Sequence, residues 1–283
     1  MSIWISISWD AIASKLTTCR EGKMDVRDAA SVSVRKANLL HNPELGRHHK
    51  TNRGIEGIYL TKTHRKLRYH SLLQRDAYLM LDFHPSVYDI LEDRLAVDHY
   101  TATCTVLGRE KMVIDVEYEA RLIDAWLQEP EVYSRMNEYC VKHDLTFGFV
   151  TDFTVYYVDR HRLRVLRQLR YLANHKRNKD NEHRILPILQ QKGPQPINAL
   201  LRVLESSPRS ASALITISHL LLAGIITIIQ SPTGNPLDSI VTTVEDSKLS
   251  QLPPLVINYR HMVDRIRTHP FYRLRRGPIT VVS

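Results

Sequence analysis

The chain has 283 residues, 43% of them hydrophobic and 24% charged, and Lys plus Arg exceed Asp plus Glu by nine. Ten glycines and thirteen prolines exclude collagen-like and low-complexity classes. Three cysteines without a C-x-x-C pair exclude a disulfide framework and a zinc finger. The longest mostly apolar stretch, Leu214–Ile229, is interrupted by Thr216, Ser218 and His219, so no membrane span is expected. The first nine residues have neither a basic n-region nor a small-residue cleavage site; no signal peptide is expected, and a reducing cytoplasm is the expected location. The basic excess favours polyanionic partners, nucleic acid foremost. It is concentrated: nine Lys/Arg against two acids lie between Arg160 and Arg184, and six arginines against Asp264 lie between Arg260 and Arg276.

In chain order, Asp25–Asn38 predicts a short helix and Arg47–Lys50 a basic loop. Ile55, Ile58 and Leu60 alternate with polar residues and lead through Thr61–Thr63 to Lys66–His70, a hairpin pattern. Ser71 is placed to cap a helix carrying Leu72, Leu73, Tyr78, Leu79 and Met80, which Pro85 stops. Val87, Ile90 and Leu91 open the next strand, and Tyr100–Leu107 and Lys111–Glu119 are strand-like runs around the turn Gly108-Arg109. In the second run Asp115 and Glu117 share one face, because strand side chains alternate. Glu119–Asp144 predicts helix broken near Pro130, Leu145–Asp152 a buried strand, and Val155–Val158 another strand. Leu163–Leu172 is a helix with arginines on its polar face, and His175–Asn181 a loop. Glu182–Gln191, Pro196–Glu205 and Ser210–Ala223 are three short helices, followed by a hairpin of Ile225–Gln230 and Ser239–Val244 about the turn Ser231–Pro236. Three helices and a two-stranded wing is the winged-helix order. The expected class is therefore α/β, a mixed-sheet half followed by an α-rich half.

Metal-dependent cleavage of DNA on a sheet would need hard oxygen ligands. Two carboxylates hold Mg²⁺ and a nearby lysine orients or deprotonates the attacking water. Residues i and i+2 of one strand face the same way, and a hairpin brings a partner-strand residue beside them. Other motifs carry less. His48-His49, His64 and His70 have no further ligands at finger spacing. No G-x-x-x-x-G-K-[ST] or G-x-G-x-x-G occurs, and Cys104 and Cys140 sit in apolar or mixed segments that suit buried thiols.

The ordered segments His70–Asp76, Leu81–Ile90, Tyr100–Val106, Val113–Glu117 and Leu145–Asp152 resemble TnsA, the endonuclease subunit of heteromeric cut-and-paste transposases, over about residues 50 to 155. The resemblance implies a restriction-endonuclease-like α/β domain at 51–160 after an N-terminal extension at 1–50, and a helical, winged-helix domain with a basic tail at 161–283. It also implies where the catalytic groups fall. The family's helix glutamate falls on Gln74, its catalytic aspartate on Thr103, its acid-or-amide position on Asp115 and its lysine on Glu117. A neutral amide or hydroxyl brings no charge to a divalent cation, and Glu117 repels a phosphate where a lysine would attract it.

The expectation is thus an inactive transposition accessory subunit without a cofactor. It would bridge transposon-end DNA, a TnsB-like recombinase and a TnsC-like AAA+ ATPase, away from membranes. Two alternatives stay open. One is an Mg²⁺-dependent endonuclease cutting 5′ ends with Asp115 and Glu117 as metal ligands. The other is a winged-helix DNA-binding regulator. Arg162, Arg164, Arg167, Arg170, Lys176 and Arg177 are the expected DNA contacts. The apolar character of Ser210–Ala223 suits a core or interface better than a recognition helix.

Overall fold

The central hairpin forms because two β-branched and apolar runs flank Gly108, where the chain passes so close to the Ser86 carbonyl that a Cβ would lie 2.5 Å from it. The computed structural model of the chain describes residues 49–51, 54–92, 96–97, 100–108, 110–158, 160–204, 210–244 and 255–268. The predicted helix Asp25–Asn38 lies outside them. All of the described residues belong to one compact unit, Glu44–Ser283.

Strands β1 (His49–Thr51), β2 (Gly54–Leu60) and β3 (Lys66–Tyr69) form an antiparallel sheet in that order. Part of the predicted basic loop is therefore strand, because Thr51 and Gly54 pair across a tight connection. Helix α1 (Leu72–Asp82) begins where the Ser71 hydroxyl accepts the Gln74 N–H at 3.1 Å, the N-cap bond that Ser supplies best. Strand β4 (Val87–Leu91) follows, then the short pair β5 (Ala96–Val97) and β6 (Tyr100–Thr101), and the hairpin β7 (Cys104–Gly108) and β8 (Lys111–Val116). The predicted strand Tyr100–Leu107 is thus two strands, separated at Ala102 and Thr103. Helices α2 (Glu119–Gln128) and α3 (Pro130–Lys142) then lead to β9 (Thr146–Val150). Glu119, read both as the end of a strand and as the start of a helix, is the first residue of a helix.

The main sheet has the order β13-β9-β8-β7-β4, where β13 is Ile257–Asn258 near the C-terminus. Strands β8 and β9 are parallel, joined by the α2–α3 crossover, and the other pairs are antiparallel. The sheet is mixed and the protein α/β. Strand alternation divides its side chains between two cores. Cys104, Val106, Ile114 and Val116 pack on one face with α1 residues Leu73, Ala77 and Leu81. Val113, Phe147 and Phe149 pack on the other with Leu122, Met136 and Met262, the last from helix α8 (Tyr259–Thr268).

Phe153–Val158, predicted in part as a strand, is a π-helical segment. Its aromatic and β-branched residues have strand propensity, but Thr151 and Thr154 override it. The Thr151 N–H donates to the Thr154 hydroxyl at 3.0 Å, and that hydroxyl donates to the Thr151 carbonyl at 2.9 Å, closing a helical turn directly after β9.

Helices α4 (Arg160–Leu172), α5 (Lys179–Lys192), α6 (Ile197–Leu204) and α7 (Ser210–Leu222) follow. A two-residue strand β10 (Gln195–Pro196) precedes α6, and β11 (Ile226–Gln230) and β12 (Ile240–Thr243) follow α7. These strands form a sheet of order β10-β12-β11. Helix α7 packs against α4, α5 and α6, and none of its described side chains is fully exposed. No helix among the described residues is long and apolar enough to cross a membrane.

Candidate functional site: the carboxylate end of the main sheet

The C-terminal ends of the parallel strands β8 and β9 lie side by side, with Asp115 opposite Phe149 and Val116 opposite Val150. The antiparallel neighbour β7 begins at this same end. The Thr103 N–H donates to the Ile114 carbonyl at 3.1 Å. The Thr103 hydroxyl donates to Asp115 Oδ1 at 3.0 Å and accepts the Val116 N–H at 3.0 Å. Asp115 is only 8% exposed. Two residues on, Glu117 Oε1 accepts the Tyr118 N–H at 2.8 Å and lies 3.8 Å from Arg121 Nη1. The hairpin therefore brings Thr103 against Asp115, with Glu117 beside the first turn of α2.

Neighbouring acids at this end are also engaged. Asp152 Oδ1 accepts the Glu119 N–H at 2.8 Å, satisfying one of the amides left over at the α2 N-terminus and placing negative charge at the positive end of its dipole. Glu119 takes both Arg265 Nε and Nη2, at 2.6 and 3.0 Å, a two-pronged charge-assisted pair. The Arg265 guanidinium lies 4.2 Å from the Phe153 ring centroid, within cation–π range. Helix α8 is thereby fastened to the sheet's end across 146 residues of sequence.

Gln74 lies elsewhere. Its side-chain oxygen accepts the His70 N–H at 2.6 Å, holding the chain just before α1. Helix α1 packs on the Ile114/Val116 face of the sheet, opposite to the face that strand alternation assigns to Asp115. The four family positions are thus divided: Thr103, Asp115 and Glu117 share one end of the sheet, and Gln74 belongs to a helix cap.

These residues do not fit a divalent cation. Mg²⁺ needs several hard oxygen ligands with negative charge among them, and here Thr103 is neutral and the acids are bonded to protein donors. Among the described residues no group of three His, Cys, Asp or Glu is placed to hold a metal. Cys104, adjacent to Thr103, is fully buried, and burial together with Asp115 pushes its thiol well up, so it is inert as a nucleophile. Thr103→Asp is expected to lower stability by about 1–3 kcal/mol at pH 7 and to recover as pH falls, because two carboxylates in contact cannot both ionise cheaply. Thermal melts of the variant across pH 7 to 4 check this.

A second polar centre has no signature in the sequence pattern. Asp76, two residues past Gln74 on α1, is 1% exposed. It accepts Arg75 Nε and Nη2 at 3.0 and 2.8 Å, the Tyr156 hydroxyl at 3.1 Å and Arg167 Nη2. The hub ties α1 to the π-helical segment and to α4. Asp82, also 1% exposed, accepts the Lys62 N–H with both oxygens and the Tyr59 hydroxyl at 3.0 Å. Burial outweighs these bonds and raises its pKa.

The expected DNA contacts divide in the same way. Arg167 is held by Asp76. Arg170 is 9% exposed, donates to the Leu60 carbonyl and lies over the Tyr59 ring. Arg162 flanks the half-buried His84, and Arg177 pairs with Glu182 at 3.4 Å. Arg164 and Lys176 are exposed. The spacing holds the signal: Leu163, Leu166 and Arg170 fall at i, i+3 and i+7, so Arg170 shares the packed face of α4.

No protein-family model matches the chain, and no curated protein matches it.

Proposed function

We propose that the chain is a TnsA-like subunit of a DNA transposition assembly that has lost nuclease chemistry. It bridges transposon-end DNA, a TnsB-like recombinase and a TnsC-like AAA+ ATPase. On this reading the mixed sheet with α1 to α3 is a restriction-endonuclease-like domain, and α5 to β12 a winged helix. The observation that carries the proposal is the β7–β8 hairpin, which lays Thr103 against Asp115 with Glu117 two residues on. These are the positions where the resemblance puts the metal cage, and the groups there bond to the protein. The order helix, strand, helix, helix, hairpin, with β10 joining the hairpin's sheet, supports the winged-helix reading. The buried setting of α7 favours docking, with phosphate contacts from flanking cations, over insertion of a recognition helix into a groove.

The test is reconstitution on an end duplex with the two partner proteins and Mg²⁺ or Mn²⁺. The expected result is a complex of all components with no 5′ nick. A double Arg164→Glu, Lys176→Glu variant should weaken DNA binding about equally across sequences and make it less salt-dependent, as lost phosphate contacts do. Failure of the chain to join either partner on DNA overturns the bridging role.

A further inference from the structure

Most sheet edges among the described residues are protected. Strands β1, β10 and β13 have three, two and two residues, and β10 contains Pro196. At the β3 edge, the Arg68 N–H donates to the Glu92 carboxylate. At the β4 edge, the Val87 carbonyl accepts Lys62 Nζ, and Asp89 pairs with Arg65 at 2.6 Å. Short strands, proline and charge are the devices by which proteins prevent edges from pairing.

Among the described residues, strand β11 carries neither proline nor charge, and its one such device is the bulge at Ile229. It is a five-residue edge, Ile-Thr-Ile-Ile-Gln. It lies in a run without a single Asp, Glu, Lys or Arg from Ser210 to Leu237, in a chain that is 24% charged. Ile226 and Ile228 are buried in the core, whereas Ile225 is 37% and Ile229 54% exposed. Ile229 is the bulge residue, left out of register with β12, so the regular ladder is Ile226–Ile228 and Thr227 is its centre.

We propose that β11 is the seam of a homodimer, pairing antiparallel with β11 of a second copy about a two-fold axis through Thr227. The sequence is self-complementary about that residue. Ile225 and Ile229 lie two positions either side of Thr227, so each exposed isoleucine meets the other isoleucine of the second copy. Thr227 meets itself, a favourable cross-strand pair. The charge pattern selects a second copy as the occupant. An isologous strand pair sets residues near the axis against their own kind, and like charges directly opposite destabilise a sheet. Between two chains each carrying a net +9, a segment without charge meets the least repulsion. A partner recognised through charge would use the basic surface instead. The result is one continuous six-stranded sheet spanning two copies.

The experiment is sedimentation velocity on the full chain over a range of micromolar concentrations, with two variants. The wild type should sediment as a reversible dimer. Ile229→Lys, at an exposed position, should raise the dimer dissociation constant by at least about tenfold, because it sets an ammonium group against Ile225 of the second copy, where water is excluded, with an unchanged melting curve. In a Cys19→Ser background, Thr227→Cys should form a disulfide-linked dimer on mild oxidation. Directly opposed antiparallel residues have Cα atoms about 4.5–5.5 Å apart, within disulfide range. Ile228→Cys, facing its own core, should not crosslink. A wild type that is monomeric throughout, or a dimer indifferent to Ile229→Lys and not crosslinked through Thr227→Cys, overturns the proposal.

Discussion

Replacing Asp76 with alanine is expected to cost about 3–5 kcal/mol of folding stability, the range for removing one partner from a buried ion network. The carboxylate is 1% exposed and faces Arg75, Tyr156 and Arg167. Without it, the Arg75 guanidinium, itself nearly buried, is left with its charge uncompensated in the interior. Arg167→Ala should cost far less, because that side chain is 39% exposed and water can replace it. The double variant should be less destabilised than the two single effects added, because both act through the same hub. Urea unfolding checks all three: the midpoint should fall with little change in slope. A loss below about 1 kcal/mol for Asp76→Ala would show that the hub contributes little.

Acid lability centred on His84 is the second large effect. Burial, reinforced by the charges of Arg162 and Lys62, depresses the imidazole from 6.5 to about 3. The Ser86 N–H lies 3.3 Å from His84 Nδ1 and can only donate, so Nδ1 accepts and the ring is neutral with its proton on Nε2; the Ser86 hydroxyl also bonds Nδ1, at 2.7 Å. The unfolded chain takes up a proton below pH 6.5 that the folded chain refuses until about 3. The stability tied to the neutral ring is therefore complete above 6.5 and is lost as pH falls through that window, at up to roughly 1.4 kcal/mol per pH unit. Asp82 acts in the opposite sense. Its folded pKa is raised, so its contribution is largest at low pH and declines as pH rises through the folded value. Comparing wild type with His84→Asn between pH 6.5 and 4 isolates the histidine. The variant's stability should fall less steeply by about one proton's worth.

Local chemistry made much of the fold legible. Ser71 caps α1, Pro130 separates α2 from α3, and Gly108 turns the central hairpin. Each follows from a side chain acting on its own neighbourhood, which is why sequence patterns find them. Features that depend on partners distant in the chain are not legible in this way. The basic run after Arg160 reads as a DNA-facing surface, and nothing local announces that Asp76, 91 residues earlier, and the Leu60 carbonyl, 110 earlier, bond Arg167 and Arg170. Gln74 reads as a site residue until its amide is found bonded to His70. The π-helical segment is hidden for a different reason: two threonine hydroxyls outweigh the strand propensity of six residues. At the sheet's end, the period-two rule is enough to place Thr103, Asp115 and Glu117 together. The arginine that engages Glu119 comes from the far end of the chain, and no local pattern announces it.

The proposed loss of nuclease chemistry requires that the acids at the end of the main sheet, which bond to protein donors, bind no catalytic metal. Calorimetric titration of Mn²⁺ into the full chain at pH 7 addresses it most directly. No saturable binding is expected, and Asp115→Ala should differ from wild type only in its lower stability. One Mn²⁺ bound per chain, abolished by Asp115→Ala and accompanied by 5′ nicking of an end duplex, would contradict it.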